Sequence, residues 1–322
     1  MVQLLYQVSL AELATKLDFN FFTQALATRA LQVNLGNDLD HVLLLATLQG
    51  PSSDYKSALQ PAQLQALDML QAIGVQLVFL DSVHVAEMNR LAQVLPSAGK
   101  YAGKMIVFFW AQRRGYQRML FMDNDYAPLV DMREVAKLAG PDWPFVSAPD
   151  PMPVWHINSG MFVVWLTPSL YTDMVQVLSQ IDFAGHHAGD SDQDLINYYF
   201  FMGSNVSSHK TLLATYNFMP KFMMQNVRGR PNLLLLPRGD SFIRGLHLTM
   251  GRYSSHCWAT DLHPPIYPTL ARLCCFVAQL VQRNATTEAW GRTLTALPGS
   301  RAVDPYGCDN VASRARGLKM YY

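Results

Sequence analysis

The chain has 322 residues, half of them hydrophobic and 15% charged, enough to bury a large core in one big domain or in one domain plus an appendage. Its 25 Lys and Arg nearly balance 24 Asp and Glu, and a net charge of +1 gives no electrostatic footprint for nucleic acid or an anionic membrane surface. Any polyanion it binds must be small and locally gripped.

Short apolar runs alternate with helical patterns through the first half, which predicts a layered α/β domain with a largely parallel sheet. "QLLYQVSL" reads as a first strand, "FFTQALATRALQV" as a helix and "DHVLLLAT" as a second strand. "PAQLQALDMLQAI" then places Leu64, Leu67, Leu70 and Ile73 near one helical face, and Gly74 is a C-cap before the strand "VQLVFLD". That order makes a βαβαβ unit. A helix containing "KMIVFFWAQRRG" leads into the strand "RMLFM"; "PFVSAPD" and "SGMFVVWLT" are further strands around the loop "PMPVWHIN", and "YTDMVQVLSQI" is helical. The organisation expected is one domain over residues 1–258, with 259–322 as a partly helical C-terminal extension.

Cys257, Cys274, Cys275 and Cys308 show no CxxC pairing and no His at zinc-ligand spacing, so a structural zinc knuckle is not expected. No uninterrupted apolar stretch reaches the roughly 18 to 20 residues of a membrane span, and the start "MVQLLYQVSLAEL" is neither a secretory signal nor a transit peptide. These features read as a soluble chain of the cytoplasm, or of the Golgi lumen if the sequons at Asn205 and Asn284 are used.

Four stretches could carry chemistry. In "RMLFMDNDYAPL", Asp123 and Asp125 follow a strand directly, and the carboxyl end of a central strand is where open α/β sheets put ligand chemistry. An EF-hand loop fails on spacing, since its fifth and sixth positions would be Ala127 and Pro128. A capped strand end and a metal site for a phosphorylated ligand both remain open. In "HINSGMFVVW", Asn158 and Ser159 suit sugar hydroxyls and Gly160 permits close backbone approach, although a plain turn would look the same. In "HHAGDSDQDLINYYF", Ser191 and Asp194 approximate a capping box that puts Asp192 and Gln193 in a first helical turn. Capping accounts for Asp190 and Ser191 but not for Gln193, while His186 and His187 read as loop residues. In "RGLHLTMGRYSSHCW", His247 precedes Gly251 and Arg252, whose amide and cation could meet a phosphate.

Taken in this order, "FMDND", "SAPDPMPVWHINSGMFVV", "DSDQDLINYYF" and "LATYNF" followed by "LHLTMG" resemble the glycogenin-like glycosyltransferases of glycosyltransferase family 8, over roughly residues 3–258. The resemblance implies a GT-A, Rossmann-like fold with a mixed, mostly parallel sheet flanked by helices. It also implies a retaining enzyme that moves a hexosyl unit from a UDP-sugar to a hydroxyl. Asp123, Asp125 and His247 would hold Mn2+, or Mg2+ in its place, on the donor diphosphate. Lys104, Asn158 and Ser159 would bind the donor, Asn124 and Ser9 its nucleoside, and Asp192 and Gln193 would act at the sugar, Gln193 beside the anomeric carbon.

The chain departs from the family where a closing Lys-Pro-Trp is expected, offering Arg252, His256 and Trp258 instead, so diphosphate binding would fall to Arg252 or His256, with the Gly251 amide beside them. The spacing from His247 to Gly251 resembles the plant branch that glucuronosylates inositol phosphorylceramides, which admits a hexuronosyl donor. "MPKFMMQNVRGRP" after "YNF" lacks the tyrosines of a self-glucosylating protein, so the expected acceptor is an external hydroxyl of a glycan, lipid or protein. A homodimer is a family-level expectation. The competing reading is a GT-A-like protein that binds a nucleotide or glycan without turnover. A nucleotidylyltransferase ranks below both, because no Gly-rich loop follows the first strand.

Overall fold

A computed structural model describes residues 1–7, 29, 39–47, 61–72, 74–95, 104–124, 126–128, 130–150, 157–181, 191–202, 209–217, 219 and 244–247. Outside these lie Ser9, Asp125, His186, His187, Asp190, Gly251, Arg252, His256, the cysteines, both sequons, all but Arg29 of the helix expected at 21–33, and the 259–322 extension.

A seven-stranded sheet has the order β3-β2-β1-β4-β7-β6-β8. Its strands are β1 (Val2–Gln7), β2 (His41–Thr47), β3 (Val75–Phe79), β4 (Arg118–Met122), β6 (Phe145–Ser147), β7 (Met161–Trp165) and β8 (His209–Thr211). Pairs β1–β2, β2–β3, β1–β4 and β6–β8 run parallel, while β7 opposes both of its neighbours. The sheet is therefore mixed and mostly parallel, as expected. A separate antiparallel pair joins β5 (Tyr126–Pro128) to β9 (Gly245–His247).

Burial on both faces explains why β2 and β4 read as continuous apolar runs. In β4, Met119 and Phe121 enter one core cluster and Leu120 and Met122 the other, the two-residue period of a strand sorting one run onto two faces. β7 does the same with Phe162 and Val164 against Met161 and Val163. The larger core is closed by α2 (Ser82–Val94), α3 (Ile106–Arg113), α5 (Leu170–Leu178) and α6 (Asp192–Asn197), the smaller by the segment around α4 (Arg133–Ala136). Phe162 is central, its ring stacking with Phe108, Phe121 and Phe145 at centroid distances of 5.0 to 5.5 Å.

α1 (Pro61–Ala72) ends before Gly74, whose φ of 84° supplies the left-handed turn into β3. The sequence reading did not single out α2, β5, β8 or α4. α2 starts on Asp81, whose carboxylate accepts from the amides of Val83 and His84, and its buried stripe of His84, Val85, Met88 and Leu91 is interrupted by a titratable ring. β5 and β8, of three residues each, are too short to show a period. Among the described residues no helix is long and apolar enough to cross a membrane.

Candidate active site

The site begins where β4 ends. β4 and β7 are antiparallel and pair Met122 with Met161, so the turn after β4 and the turn before β7 emerge side by side at the centre of the sheet. The Asp123 amide extends that ladder, donating to the Gly160 carbonyl at 2.8 Å. From β1, Gln3 Nε2 donates to the Asp123 carbonyl at 3.3 Å, and the Gln3 Oε1 lies 2.8 Å from His41 Nε2. Both Gln3 and His41 are fully buried. Asn124 Nδ2 donates to the Leu4 carbonyl at 2.6 Å, so this candidate nucleoside contact ties the turn to β1.

The second turn is equally constrained. Asn158 Oδ1 accepts from the Gly160 amide at 2.9 Å, an Asx turn, and the buried Ser147 hydroxyl reaches the carbonyls of Asn158 at 3.1 Å and Met161 at 2.9 Å. α6 docks on this turn through residues one helical turn apart. Asn197 accepts from the Ile157 amide at 3.0 Å and donates to the Ile157 carbonyl at 2.9 Å. Gln193 Oε1 accepts from Asn158 Nδ2 at 2.8 Å and from the Ser159 amide at 3.1 Å, while its Nε2 donates to Asp150 Oδ2 at 3.0 Å. The expected capping box is present: the Ser191 hydroxyl accepts from the Asp194 amide, and the Asp194 carboxylate from the Ser191 amide. It places Asp192 at the helix start, where its carboxylate accepts from the Ser159 hydroxyl at 2.6 Å.

Lys104 precedes α3 and sits between the two acidic residues. Its ammonium lies 2.9 Å from Asp123 Oδ1 and also pairs with Asp192 Oδ2, with the Phe121 ring centroid 5.0 Å away. Burial alone would lower its pKa, but the charges and hydrogen bonds of Asp123 and Asp192 outweigh burial and raise it above the ordinary lysine value. Lys104 is thus a permanent cation clamped by two carboxylates.

His247, at the end of β9, closes the opposite side and is 2% exposed. Its Nε2 is 3.9 Å from Asp123 Oδ2, and its Nδ1 is 3.0 Å from Asn217 Oδ1. The ring presses on the Gly160 backbone so closely that a Cβ there would lie 2.1 Å from Cε1. This is why the chain has glycine at 160: the backbone approach expected for a ligand is taken by an imidazole. β5 sets the register, pairing Tyr126 with His247, and the Tyr126 ring stands edge-on to the imidazole at 6.0 Å. A Cβ at Gly245 would lie 1.8 Å from the Tyr126 hydroxyl, so the small sheet needs glycine there too.

Of the residues expected from sequence, the structure brings together Lys104, Asp123, Asn158, Ser159, Asp192, Gln193 and His247. A carboxylate facing an imidazole nitrogen is a donor set that suits Mn2+ or Mg2+ poorly with nitrogen alone but well with oxygen ligands added. Among the described residues, no three His, Cys, Asp or Glu side chains form such a set; Asp125, the third expected ligand, lies outside them. Sequence reasoning gave no role to Asp150, Asn217 or Gln3. The first two lie inside quoted motifs, but their partners are remote in sequence.

No protein-family pattern and no curated protein matches the sequence. Solved structures do. The glycosyltransferase GlyE of Streptococcus pneumoniae TIGR4 superposes with a TM-score of 0.54 at 11% identity, over 94% of this chain and 65% of GlyE. This chain thus spans just under two thirds of GlyE. Mouse xyloside xylosyltransferase 1 matches with a TM-score of 0.47 at 13% identity, over 77% of this chain and 96% of that one. The galactosyltransferase LgtC matches at 0.44 and 11% identity, over 93% and 98%. The sheet order and the GlyE superposition identify the fold as the α/β, GT-A type.

Proposed function

We propose that this protein is a retaining glycosyltransferase that takes a hexosyl or hexuronosyl unit from a UDP-sugar and places it on an external hydroxyl, with Mn2+ as cofactor. The observation that carries the reading is the convergence of Lys104, Asp123, Ser159, Asp192, Gln193 and His247 at the carboxyl end of the central strand. The GT-A fold and the motif order support it.

Asp123 and His247, with Asp125, would hold the metal. When bound, it would supply Lewis-acid stabilisation of the departing diphosphate. Lys104 pairs with both the metal aspartate and the sugar-side aspartate, so it would bind diphosphate oxygens while orienting both carboxylates. Asp192 and Asp150 offer acceptors for sugar hydroxyls, Asn158 holds Asp150 and Gln193 together through its amide nitrogen, and α6 carries Gln193 beside them, its amide oriented at both ends by Asn158, Ser159 and Asp150. A preformed set of this kind positions the anomeric carbon without reorganisation during reaction.

The test is UDP release across a panel of UDP-sugars, with and without Mn2+ and candidate acceptors; an Asp123→Asn variant retaining full turnover would overturn the assignment. One observation favours a second reading, binding without turnover: every polar atom of the Gln193 amide is already engaged within the protein. Calorimetry that detects UDP-sugar binding while no donor yields transfer would select it.

A further inference from the structure

We infer that Asn217 is the positioning residue that selects the tautomer of His247 and aims its Nε2 at the Asp123 carboxylate. This rests on the reading above, in which Asp123 and His247 hold a divalent cation. Asn217 is 4% exposed and ends the short 3-10 helix Ala214–Asn217. Its Nδ2 faces the Pro149 carbonyl at 3.4 Å. A carbonyl only accepts, so the amino group of the amide points to Pro149 and Oδ1 points to the imidazole. Oδ1 in turn only accepts, so the His247 nitrogen 3.0 Å away carries the proton. In the neutral ring the lone pair is then on Nε2, the nitrogen on the Asp123 side.

The turn that carries Asn217 is itself fixed by both strands of the small sheet. The Thr215 carbonyl accepts from the Arg244 amide at 2.8 Å, immediately before β9, and the Tyr216 carbonyl accepts from the Tyr126 hydroxyl in β5. Asn217 therefore moves with His247. Gly160 and the Tyr126 ring occupy two other sides of the imidazole, leaving it little freedom to flip. Ligating histidines generally depend on such a partner for ring orientation, and its loss weakens metal binding.

Two readouts on the full chain test this. In apo protein, long-range 15N NMR of His247 is expected to show the Nδ1–H tautomer in wild type and in Asn217→Asp, which keeps the acceptor, and to lose it in Asn217→Leu. Mn2+ affinity, followed by the electron paramagnetic resonance of free Mn2+, is expected to fall about 10- to 100-fold in Asn217→Leu and only a few-fold in Asn217→Asp. Circular dichroism of Asn217→Leu controls for folding; if that variant does not fold, Asn217→Ala, which also lacks the acceptor, takes its place, with the same loss expected. An Nε2–H tautomer in wild type, or unchanged tautomer and Mn2+ affinity in the folded variants, overturns the inference. Wild-type protein that binds no Mn2+ overturns the metal-site reading and leaves the tautomer result to decide Asn217's role on its own.

Discussion

Lys104 concentrates most of the site's electrostatics in one side chain. Replacing it with Met would remove the cation that pairs with both Asp123 and Asp192, and breaking a buried pair in this way costs on the order of 3 kcal/mol. The pH behaviour follows from the sign of its shift. A lysine with a raised folded pKa contributes stability that is complete below its unfolded value, about 10.4, and lost as pH rises through the folded value. Urea denaturation is therefore expected to show a constant gap between wild type and Lys104→Met from pH 6 to 9. At Gly160 the issue is space. Gly160→Ala drives a methyl into the His247 ring, with an expected cost of about 1–3 kcal/mol and weaker Mn2+ binding. Denaturation and a metal titration check the two effects separately.

At the scale of elements, α2 and α5 are joined by a polar contact inside the larger core's rim. Glu87 on α2 accepts from Arg90 on its own helix and from the Tyr171 hydroxyl on α5. Burial would raise the Glu87 pKa, yet the hydrogen bonds from Arg90 and Tyr171 prevail and hold it below the ordinary carboxylate value. Its contribution is present above the unfolded pKa, about 4.3, and is lost as pH falls through the lower folded value. Glu87→Gln is expected to lower stability by about 1 kcal/mol at pH 7, with the difference shrinking below pH 4 in thermal melts. α6 offers a companion test. Asn197→Ala removes both contacts to Ile157 and should cost about 2 kcal/mol while loosening the Asn158–Gly160 turn that Gln193 grips.

The elements that could be read from sequence are those whose burial leaves a periodic trace. β2, β4 and β7 are apolar on both faces, and α1 announces itself by its leucine stripe and Gly74. β5, β8 and β9 have three residues each, and their existence depends on partners up to about 120 residues distant, which no local pattern records. The site divides similarly. Asp123, Asn158, Ser159, Asp192 and Gln193 stand at strand and helix ends, where polar residues beside apolar runs are conspicuous. Asp150, Asn217 and Gln3 matter only through contacts across the fold.

For the whole molecule, the antiparallel insertion of β7 beside β4 is what makes one site out of two turns. In a fully parallel arrangement the start of β7 would lie a strand length away from the end of β4, roughly 16 Å for five residues. Reversal brings Asp123 and the Asn158–Gly160 turn to one edge, and β5–β9 then carries His247 across to them. As a test of the assembled site, chelation by EDTA is expected to reduce UDP release at least tenfold, with recovery on adding Mn2+. Activity indifferent to chelation would remove the metal from the proposal.

The hydrogen bond from the Asp123 amide to Gly160 has a kinetic counterpart. That amide sits at the end of the β4–β7 ladder, and the carbonyl of the same residue is held by Gln3 from the neighbouring strand, so its exchange with solvent deuterium is expected to wait for this end of the ladder to open. Binding and catalytic groups are commonly carried by loops that open cheaply. Here the backbone beneath the acidic residue should exchange more slowly than an open loop, and the time scale on which Asp123 leaves its place becomes that on which the ends of β4 and β7 part.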